Sequence, residues 1–529
     1  MTKSKSYFTT CARLLIAITA YCYCLEAYSS TYFVRTDGND SNDGLANDAP
    51  HAWETVNHAI DQLEAGDTLW IADGTYYVDP IVVDSLHATA DDPTMIAAIN
   101  EWGAKITLKG APTWGNLVEI QTSSYLVVEG LELYQKNPTK GTGLQASKRS
   151  HHIVFRKNYV HDCGCNGISA RGSDYVTVED NIVQDNAKRS EYNCSGISYY
   201  LPVEHDQKPG FHFIIRRNIA FGNECRLPFT PGGHDVPTDG NGIILDLFRN
   251  TRNNPEGQTG GYYSETLIEN NLSFMNGGRG IHMFNSDNVT VRNNTLWHNL
   301  YVLNDYGHEK GDLEGYTAQN VKIYNNIFVE DPDLYTYALR LYNTSATSEV
   351  KNNLVVGDRD IGSVDPAMAA NVFYARNRQE YPRFKNPQRP DQFTSRADFE
   401  SYFGLEANSP AINRGNTENF AEIDINGLAR PVAAEPDMGC YEYPEVVERT
   451  LGASIRQNIS LYPNPANGKV QVLGARTYTY KLYDLSGSEI RTGAGNEFKR
   501  LDLTGIDSGV YLLHLYVDGA QFVKRLVLN

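Results

Sequence analysis

His152-Ile153-Val154-Phe155-Arg156-Lys157-Asn158-Tyr159 is answered 23 residues later by Tyr175-Val176-Thr177-Val178-Glu179-Asp180-Asn181-Ile182, and this pair of stretches decides the fold. Each is a short β-branched run followed by an asparagine and an apolar residue. The same N-h-x-h pattern, with h apolar, recurs at Asn218-Ile219, Asn271-Leu272, Asn294-Thr295-Leu296, Asn326-Ile327 and Asn353-Leu354. Successive asparagines lie 23, 37, 53, 23, 32 and 27 residues apart, so the two gaps of 23 calibrate a unit and the wider ones carry inserts. A period in the twenties means a solenoid, in which each repeat buries its apolar face only against its neighbours. Phe213-Ile214-Ile215, Val289-Thr290-Val291 and Val321-Lys322-Ile323 are equally short, β-branched and alternating, which predicts strands and not helices. Coils of this length built from short strands and polar turns make a parallel β-helix. The asparagine side chains are expected to bond neighbouring backbone and one another at one turn of every coil.

A second column sharpens the repeat. Gly143-Leu144, Gly167-Ile168, Gly196-Ile197, Gly242-Ile243 and Gly280-Ile281 pair a glycine with an aliphatic residue, nine residues after the asparagine where no insert intervenes. Alternation along a strand turns the aliphatic residue inward and the next one outward. The outward column is then Gln145, Ser169, Ser198, Ile244 and His282, and its neighbour is Ser147, Arg171, Tyr200, Asp246 and Phe284. Parallel strands stack about 4.8 Å apart, so such columns form surface rows suited to a linear polymer. Against the 23-residue coil, the stretches before Gly196 and Gly242 carry about 6 and 15 extra residues, and those after them about 8 and 15. Clustered inserts on a rigid scaffold would wall a cleft. They supply Glu204, His205, Asp206, Lys208, Glu224, Arg226, His234, Asp235 and Asp239.

The chain of 529 residues, 41% hydrophobic, has room for a large core and a second module. A formal net charge of -18 disfavours non-specific binding to nucleic acid or an anionic membrane. An anionic polymer would need basic side chains or a bound cation to offset that charge locally. Lys3, Lys5 and Arg13 precede the apolar run Leu14-Leu15-Ile16-Ala17-Ile18, and Leu25-Glu26-Ala27 is a cleavage tripeptide. Residues 1–27 are therefore expected to be a secretory signal peptide, too short for a membrane span. Beyond it stand Cys163, Cys165, Cys194, Cys225 and Cys440, an odd set that leaves at least one unpaired in a monomer. A disulfide among Cys163, Cys165 and Cys194 fits the geometry of neighbouring coils, and stacking of free cysteines inside the coil is the alternative. No C-x-x-C pair supports zinc.

Tyr32-Phe33-Val34 opens the mature chain, and Trp53, Val56, Ile60 and Leu63 at helical spacing predict an amphipathic helix capping the open end of the solenoid. Thr36-Asp37-Gly38-Asn39-Asp40-Ser41-Asn42-Asp43-Gly44, Trp53-Glu54-Thr55-Val56-Asn57-His58-Ala59-Ile60 and Gly66-Asp67-Thr68 resemble the start of pectate-lyase-like right-handed β-helix proteins. Ser409-Pro410-Ala411-Ile412-Asn413, Asp424-Ile425-Asn426-Gly427, Arg430-Pro431 and Asp437-Met438-Gly439-Cys440-Tyr441-Glu442 resemble the closing segment of secreted members. The resemblance implies an all-β, right-handed, single-stranded parallel β-helix over residues 28–443. After a linker at 444–458, Leu461-Tyr462-Pro463-Asn464-Pro465, Asp484-Leu485-Ser486-Gly487, Ser508-Gly509-Val510-Tyr511 and a basic last strand resemble a type IX secretion sorting domain. This implies a small β-sandwich at 459–529, read by the outer-membrane export machinery, and a protein secreted or held at the outer-membrane surface.

Thr238-Asp239-Gly240-Asn241-Gly242-Ile243-Ile244-Leu245-Asp246 and Gly277-Gly278-Arg279-Gly280-Ile281-His282 form the densest constellation of chemistry-bearing residues. Asp246, Asp239, His282 and Arg279 are the expected catalytic set, and Arg171, Tyr200, Phe284, Lys208 and His234 the expected substrate contacts. A polysaccharide lyase needs a base to take the proton α to a uronate carboxyl and a cation to hold the charge that develops. Asp239, Asp246, Asp235 and Asn241 offer hard oxygen ligands for Ca²⁺, with Arg279, Arg171, Lys208 or His282 as base or charge stabiliser. Lyases of the resembled family use Lys or Arg as base, and no lysine falls on the outward columns of this chain. A glycoside hydrolase would instead use Asp239 and Asp246 as paired carboxylates, with Asp235 or Glu204 as substitutes. A non-catalytic surface adhesin or polysaccharide-binding protein is the reading from another class, and on either reading the chain is expected to be a monomer.

Overall fold

The computed structural model describes residues 29–110, 113–135, 140–302, 310–334, 336–344, 347–357, 361–362, 381–444, 459–462, 464, 466–473, 475, 477–484, 488–496, 500–517 and 520–528. The expected signal peptide and all of the linker beyond residue 444 lie outside them. The chain divides into two compact units, Met1–Glu445 and Val446–Asn529.

The first unit is a right-handed parallel β-helix of three parallel sheets, one of 11 and two of 10 strands. One coil runs His151–Arg156, Tyr159–His161 and Ile168–Arg171, and the next runs Asp174–Glu179, Ile182–Gln184 and Ile197–Tyr200. Every strand pairs with its counterpart one coil on: Phe155 lies opposite Val178, Val160 opposite Val183, and Ala170 opposite Tyr199. Alternation fills the interior with Ile153, Phe155, Val160, Ile168, Val176, Val178, Ile243, Leu245, Ile281 and Met283, all buried.

The asparagine column is a continuous buried ladder. The backbone N–H and Nδ2 of Asn158 both donate to Asn181 Oδ1, at 2.9 and 3.1 Å, and the relay repeats through Asn218, Asn271, Asn294, Asn326 and Asn353. A second ladder, not singled out in the sequence reading, stands five residues later: Asn186, Asn223, Asn276 and Asn299, ending on Asp312. This ladder explains the glycine column. A Cβ on Gly167, Gly196, Gly242 or Gly280 would come within 2.7–2.9 Å of the Nδ2 of Asn186, Asn223, Asn276 or Asn299.

At the N-terminal end the capping helix is Val56–Gln62, its start satisfied by the Thr55 hydroxyl and its inner face by Val56, Ala59 and Ile60. Trp53 lies just outside it, stacked on Tyr32 and donating its indole N–H to Asn42 O. The closing segment packs along the flank. Phe384, Phe399, Phe403, Ala411, Met438 and Cys440 bury the apolar residues of the N-h-x-h strands, Ile182, Ile219, Leu272 and Ile327. Those residues therefore face outward onto a covering layer, and the x position between them faces the interior, as Val183 and Phe328 do. Cys165 and Cys194 form a disulfide, while Cys163, Cys225 and Cys440 are buried free thiols.

The second unit is antiparallel. Ser460–Tyr462, Lys469–Leu473 and Leu501–Asp502 make one sheet; Glu489–Asn496, Thr477–Tyr483, Gly509–Val517 and Ala520–Leu528 make the other. Val470, Val472, Leu482, Leu513, Leu515 and Leu526 fill the layer between them, which makes a small β-sandwich.

Candidate functional site

The outward columns expected from the sequence are registered columns of one sheet. Gln145 lies opposite Ser169, Ser169 opposite Ser198, Ser198 opposite Ile244, and Ile244 opposite His282. One position outward, Arg171, Tyr200, Asp246 and Phe284 stand in register. Both rows continue past the sequence reading, through Glu314 and Arg340 in one and Tyr316 and Tyr342 in the other. The glycine ruler missed them because Asp312 takes the glycine's place before Leu313.

Asp239, Asp246, Arg279 and His282 do come together. His282 Nδ1 lies 3.8 Å from Asp239 Oδ1, beyond hydrogen-bond reach, and neither ring nitrogen of this buried histidine has a hydrogen-bond partner. Burial, reinforced by the Arg279 charge, lowers the His282 pKa and favours the neutral ring. Burial alone would raise Asp239, but His282, Arg279 and the Asn241 amide hold its carboxyl below the usual range. Asp246 behaves in the opposite sense: burial, then the neighbouring Asp239 charge, pushes its carboxyl up to about 8, with Arg252 opposing. The residue as a whole is only partly buried, so the crowding falls on its carboxyl. The two neighbouring carboxyl groups are thus pushed in opposite directions.

Arg279 is anchored, which removes it as a base. Its Nε donates to Glu314 Oε2 at 2.7 Å and its NH1 to Thr238 O at 3.2 Å, while Arg340 NH1 reaches the other Glu314 oxygen at 2.6 Å. Burial works against the Glu314 charge, but Arg279, His282 and Arg340 keep its carboxyl below the usual range. This buried Arg–Glu–Arg group forms the floor beside His282.

The expected calcium ligands do not form a set. Asn241 is spent on structure: its Oδ1 accepts the Arg279 backbone N–H at 2.9 Å, and its Nδ2 donates to Asp239 Oδ1 at 2.7 Å. Asp235 sits exposed in the insert. Among the described residues no three acidic, histidine or cysteine side chains gather as a metal-holding group, so these residues do not fit the ion.

Two expected substrate contacts belong elsewhere. Lys208 pairs with Asp206 at 2.7 Å, in a corner cluster where Tyr175 stacks on His152 and His212. His234 stacks on Phe229 within its own loop. Glu204 is a loop staple, accepting from the Tyr263 and Ser264 backbone at 3.0 and 3.2 Å. Arg171, Tyr200 and Phe284 remain in the row beside Asp246. His282 itself is buried among the described residues. Two hollows of about 670 and 560 Å³ lie elsewhere, one lined by Tyr381, Arg383, Asn408 and Arg414, the other by Tyr32, Asp40, Trp53 and His58. Neither includes a residue of the Asp246 rows.

Residues 105–243 and 236–365 match the family described as right handed beta helix region, and residues 460–529 match the secretion system C-terminal sorting domain. A pectate disaccharide-lyase from Dickeya chrysanthemi is 26% identical over 252 residues, 47% of this chain and 27% of the relative. The match thus spans about a quarter of that relative's length. Among solved structures, pectate lyase Pel9A is similar at a TM-score of 0.45 and 18% identity, over 79% of this chain and 97% of that one. The A-module of the Azotobacter vinelandii mannuronan C-5 epimerase AlgE4 is similar at 0.36 and 14%, over 58% of this chain and 90% of that one.

Proposed function

The chain is a pectate-lyase-like right-handed parallel β-helix protein carrying a type IX secretion sorting domain, and we propose that it is an exported carbohydrate-active enzyme that cleaves a uronate-containing polysaccharide by β-elimination. The observation that carries this reading is Asp246, a partly buried residue of the outward row whose carboxyl is pushed up to about 8, close to the buried Asp239–His282 pair. A carboxylate made strongly basic by burial is the kind of group that takes a carbon-bound proton. Asp246 would remove the proton α to the uronate carboxyl. The released electron pair forms the double bond to the adjacent ring carbon and expels the glycosidic oxygen there, which leaves as an alkoxide and takes a proton from water. The curated relative is itself named as a lyase.

Hydrolysis is the second reading, supported by the opposed protonation of Asp239 and Asp246, which is the arrangement of a base and an acid on either side of a glycosidic bond. The two readings demand opposite pH profiles. As a base for elimination, Asp246 works ionised, and kcat rises with pH through about 8. As the acid for hydrolysis it works protonated, and kcat falls through about 8. The test is incubation with uronate and neutral polysaccharides, following ultraviolet absorbance of the new double bond and, separately, reducing ends. Absorbance that grows with pH supports elimination, and reducing ends without absorbance overturn it in favour of hydrolysis. Retention on a polymer column with neither signal marks a binding protein. Asp246→Asn is expected to lower turnover about 100- to 10,000-fold; full activity in that variant sinks the assignment.

A further inference from the structure

Trp114 alone of the five tryptophans is exposed, at 50%, and Tyr192 beside it is exposed at 47%. Their ring centroids lie 5.5 Å apart with 69° between the planes, an angled pair and not a parallel stack. Single apolar side chains at a surface are ordinary, but two large rings held together there form a patch. Lys140 Nζ lies 5.4 Å from the Trp114 ring centroid and pairs with Glu191 Oε2 at 2.6 Å. The rings are thus flanked by one hydrogen-bond donor and one acceptor whose charges offset each other. The loop that brings Tyr192 to Trp114 is the insert before Gly196, and it is pinned at both ends. Arg189 NH2 donates to Gln135 O at 2.9 Å, and Cys194 is bridged to Cys165.

Register ties this pair to the Asp239 site. Trp114, Lys140, Asn193 and Asp239 each stand four residues ahead of the first residue of a strand of the Asp246 sheet, at Val118, Leu144, Ile197 and Ile243. Those strand residues are aligned on successive coils, with Ile168 between Leu144 and Ile197. The four positions therefore belong to one edge row of the solenoid. Contacts along the row agree: Lys140 lies over Trp114, and the hydroxyl of Thr238, next to Asp239, donates to Asn193 Oδ1. Four coils separate Trp114 from Asp239, about 19 Å at the spacing of parallel strands. An oligosaccharide covers that span and a monosaccharide does not.

We infer that Trp114 and Tyr192 form an accessory sugar subsite, which takes a pyranose unit of the polysaccharide several units away from the Asp239–Asp246 site, so that the polymer runs along this edge row parallel to the solenoid axis. The chemistry fits a pyranose. Its ring C–H groups present an apolar face to the aromatic pair, while its hydroxyls accept from Lys140 and donate to Glu191. Rings already held in place lose little freedom on binding, which favours affinity. Because the flanking charges are paired, the subsite recognises the sugar ring and not its charge. It therefore adds affinity for chain length and leaves the choice of sugar to the site beyond it. The inference rests on the proposed function only in taking the ligand to be a polysaccharide.

The full chain bearing Asp246→Asn, in which turnover is suppressed, is titrated by calorimetry and by tryptophan fluorescence. The probes are hexamers and dimers of α-1,4-galacturonate, β-1,4-mannuronate and β-1,4-glucuronate. At least one hexamer is expected to bind and to change the fluorescence, and its dimer to bind at least about tenfold more weakly. Trp114→Ala and Tyr192→Ala should each weaken that hexamer about tenfold. Trp114→Phe keeps a ring, so it should bind within about threefold while the fluorescence change is lost. Tyr77→Ala, which removes an exposed ring from another sheet, should stay within about twofold. Trp114 and Tyr192 stand at the surface, so their variants are expected to keep the thermal transition of the parent. Undiminished hexamer binding in Trp114→Ala, an equal loss in Tyr77→Ala, or a dimer as tight as the hexamer overturns the subsite. If no hexamer binds yet the unsubstituted chain still eliminates on a uronate polymer, the subsite falls alone; if neither occurs, both readings fall.

Discussion

Asp246 shows how one residue can be costly to the fold and useful to the site. Its carboxyl is raised from an ordinary 3.8 to about 8 in the folded chain, so the folded state holds that proton more tightly than the unfolded state. The sign follows: its contribution to stability is fully present below pH 3.8 and is lost as pH rises through about 8. Asp246→Asn removes the ionisable group and is expected to raise Tm by about 2 °C at pH 8, with little change at pH 4, in thermal melts followed by circular dichroism. Asn218 is the opposite kind of residue. Its Nδ2 donates to Val178 O and Asn271 Oδ1, and its Oδ1 accepts the N–H and Nδ2 of Asn181. Asn218→Ala strands several of these buried groups and should cost about 3–5 kcal/mol, read as a lowered denaturation midpoint.

Among the elements, the strand Ile243–Asp246 places the site because of what surrounds it on either side. Gly242 precedes it, and a Cβ there would meet Ser273 Oγ at 2.1 Å and Gly280 O at 2.8 Å. Gly242→Ala is expected to destabilise the coil by about 1–3 kcal/mol through overpacking, and to lower turnover with it, because the strand carrying Asp246 must shift. The buried Glu314, on the strand Gly311–Tyr316, balances two guanidinium groups at once. Glu314→Gln leaves Arg279 and Arg340 facing each other without a counter-charge, and a loss of about 3–5 kcal/mol is expected in chemical denaturation. The asparagine ladder and the glycine–aliphatic column were legible because each occupies a fixed position in every coil. The second ladder was equally periodic, as Asn186, Asn223, Asn276 and Asn299, and its signal is an asparagine five residues after Asn181, Asn218, Asn271 and Asn294.

At the scale of the molecule, the two compact units divide the work. The β-helix holds its own core and ladders, and the β-sandwich at the C-terminus matches a sorting domain, which directs the protein to secretion or the outer-membrane surface. A chain ending at residue 445 is expected to keep the thermal transition of the β-helix but to remain inside the cell envelope, as fractionation and circular dichroism would check. An equal fall in the thermal transition would mean that the β-helix depends on the sandwich. Within the β-helix unit the closing segment covers the flank of the N-h-x-h sheet, whereas Tyr200, Asp246 and Phe284 stay partly exposed on theirs.

The sequence by itself determined the coil. A repeat with inward apolar residues, a glycine and an asparagine at fixed positions has only one way to stack, because each column must meet its own kind one coil on. That was enough to name the sheet, its outward rows, and the gathering of Asp239, Asp246, Arg279 and His282. Only the tertiary structure decided what those residues can do. Protonation depends on burial and on charges brought in from other coils: Glu314 and Arg340 fix Arg279, and Asp239 pushes up Asp246. The inserts gave no periodic signal, so sequence could not tell that Lys208 turns to Asp206 or that Asn241 is held by the Arg279 backbone. Side chains on loops answer to three-dimensional neighbours, whereas those on the coil answer to the repeat.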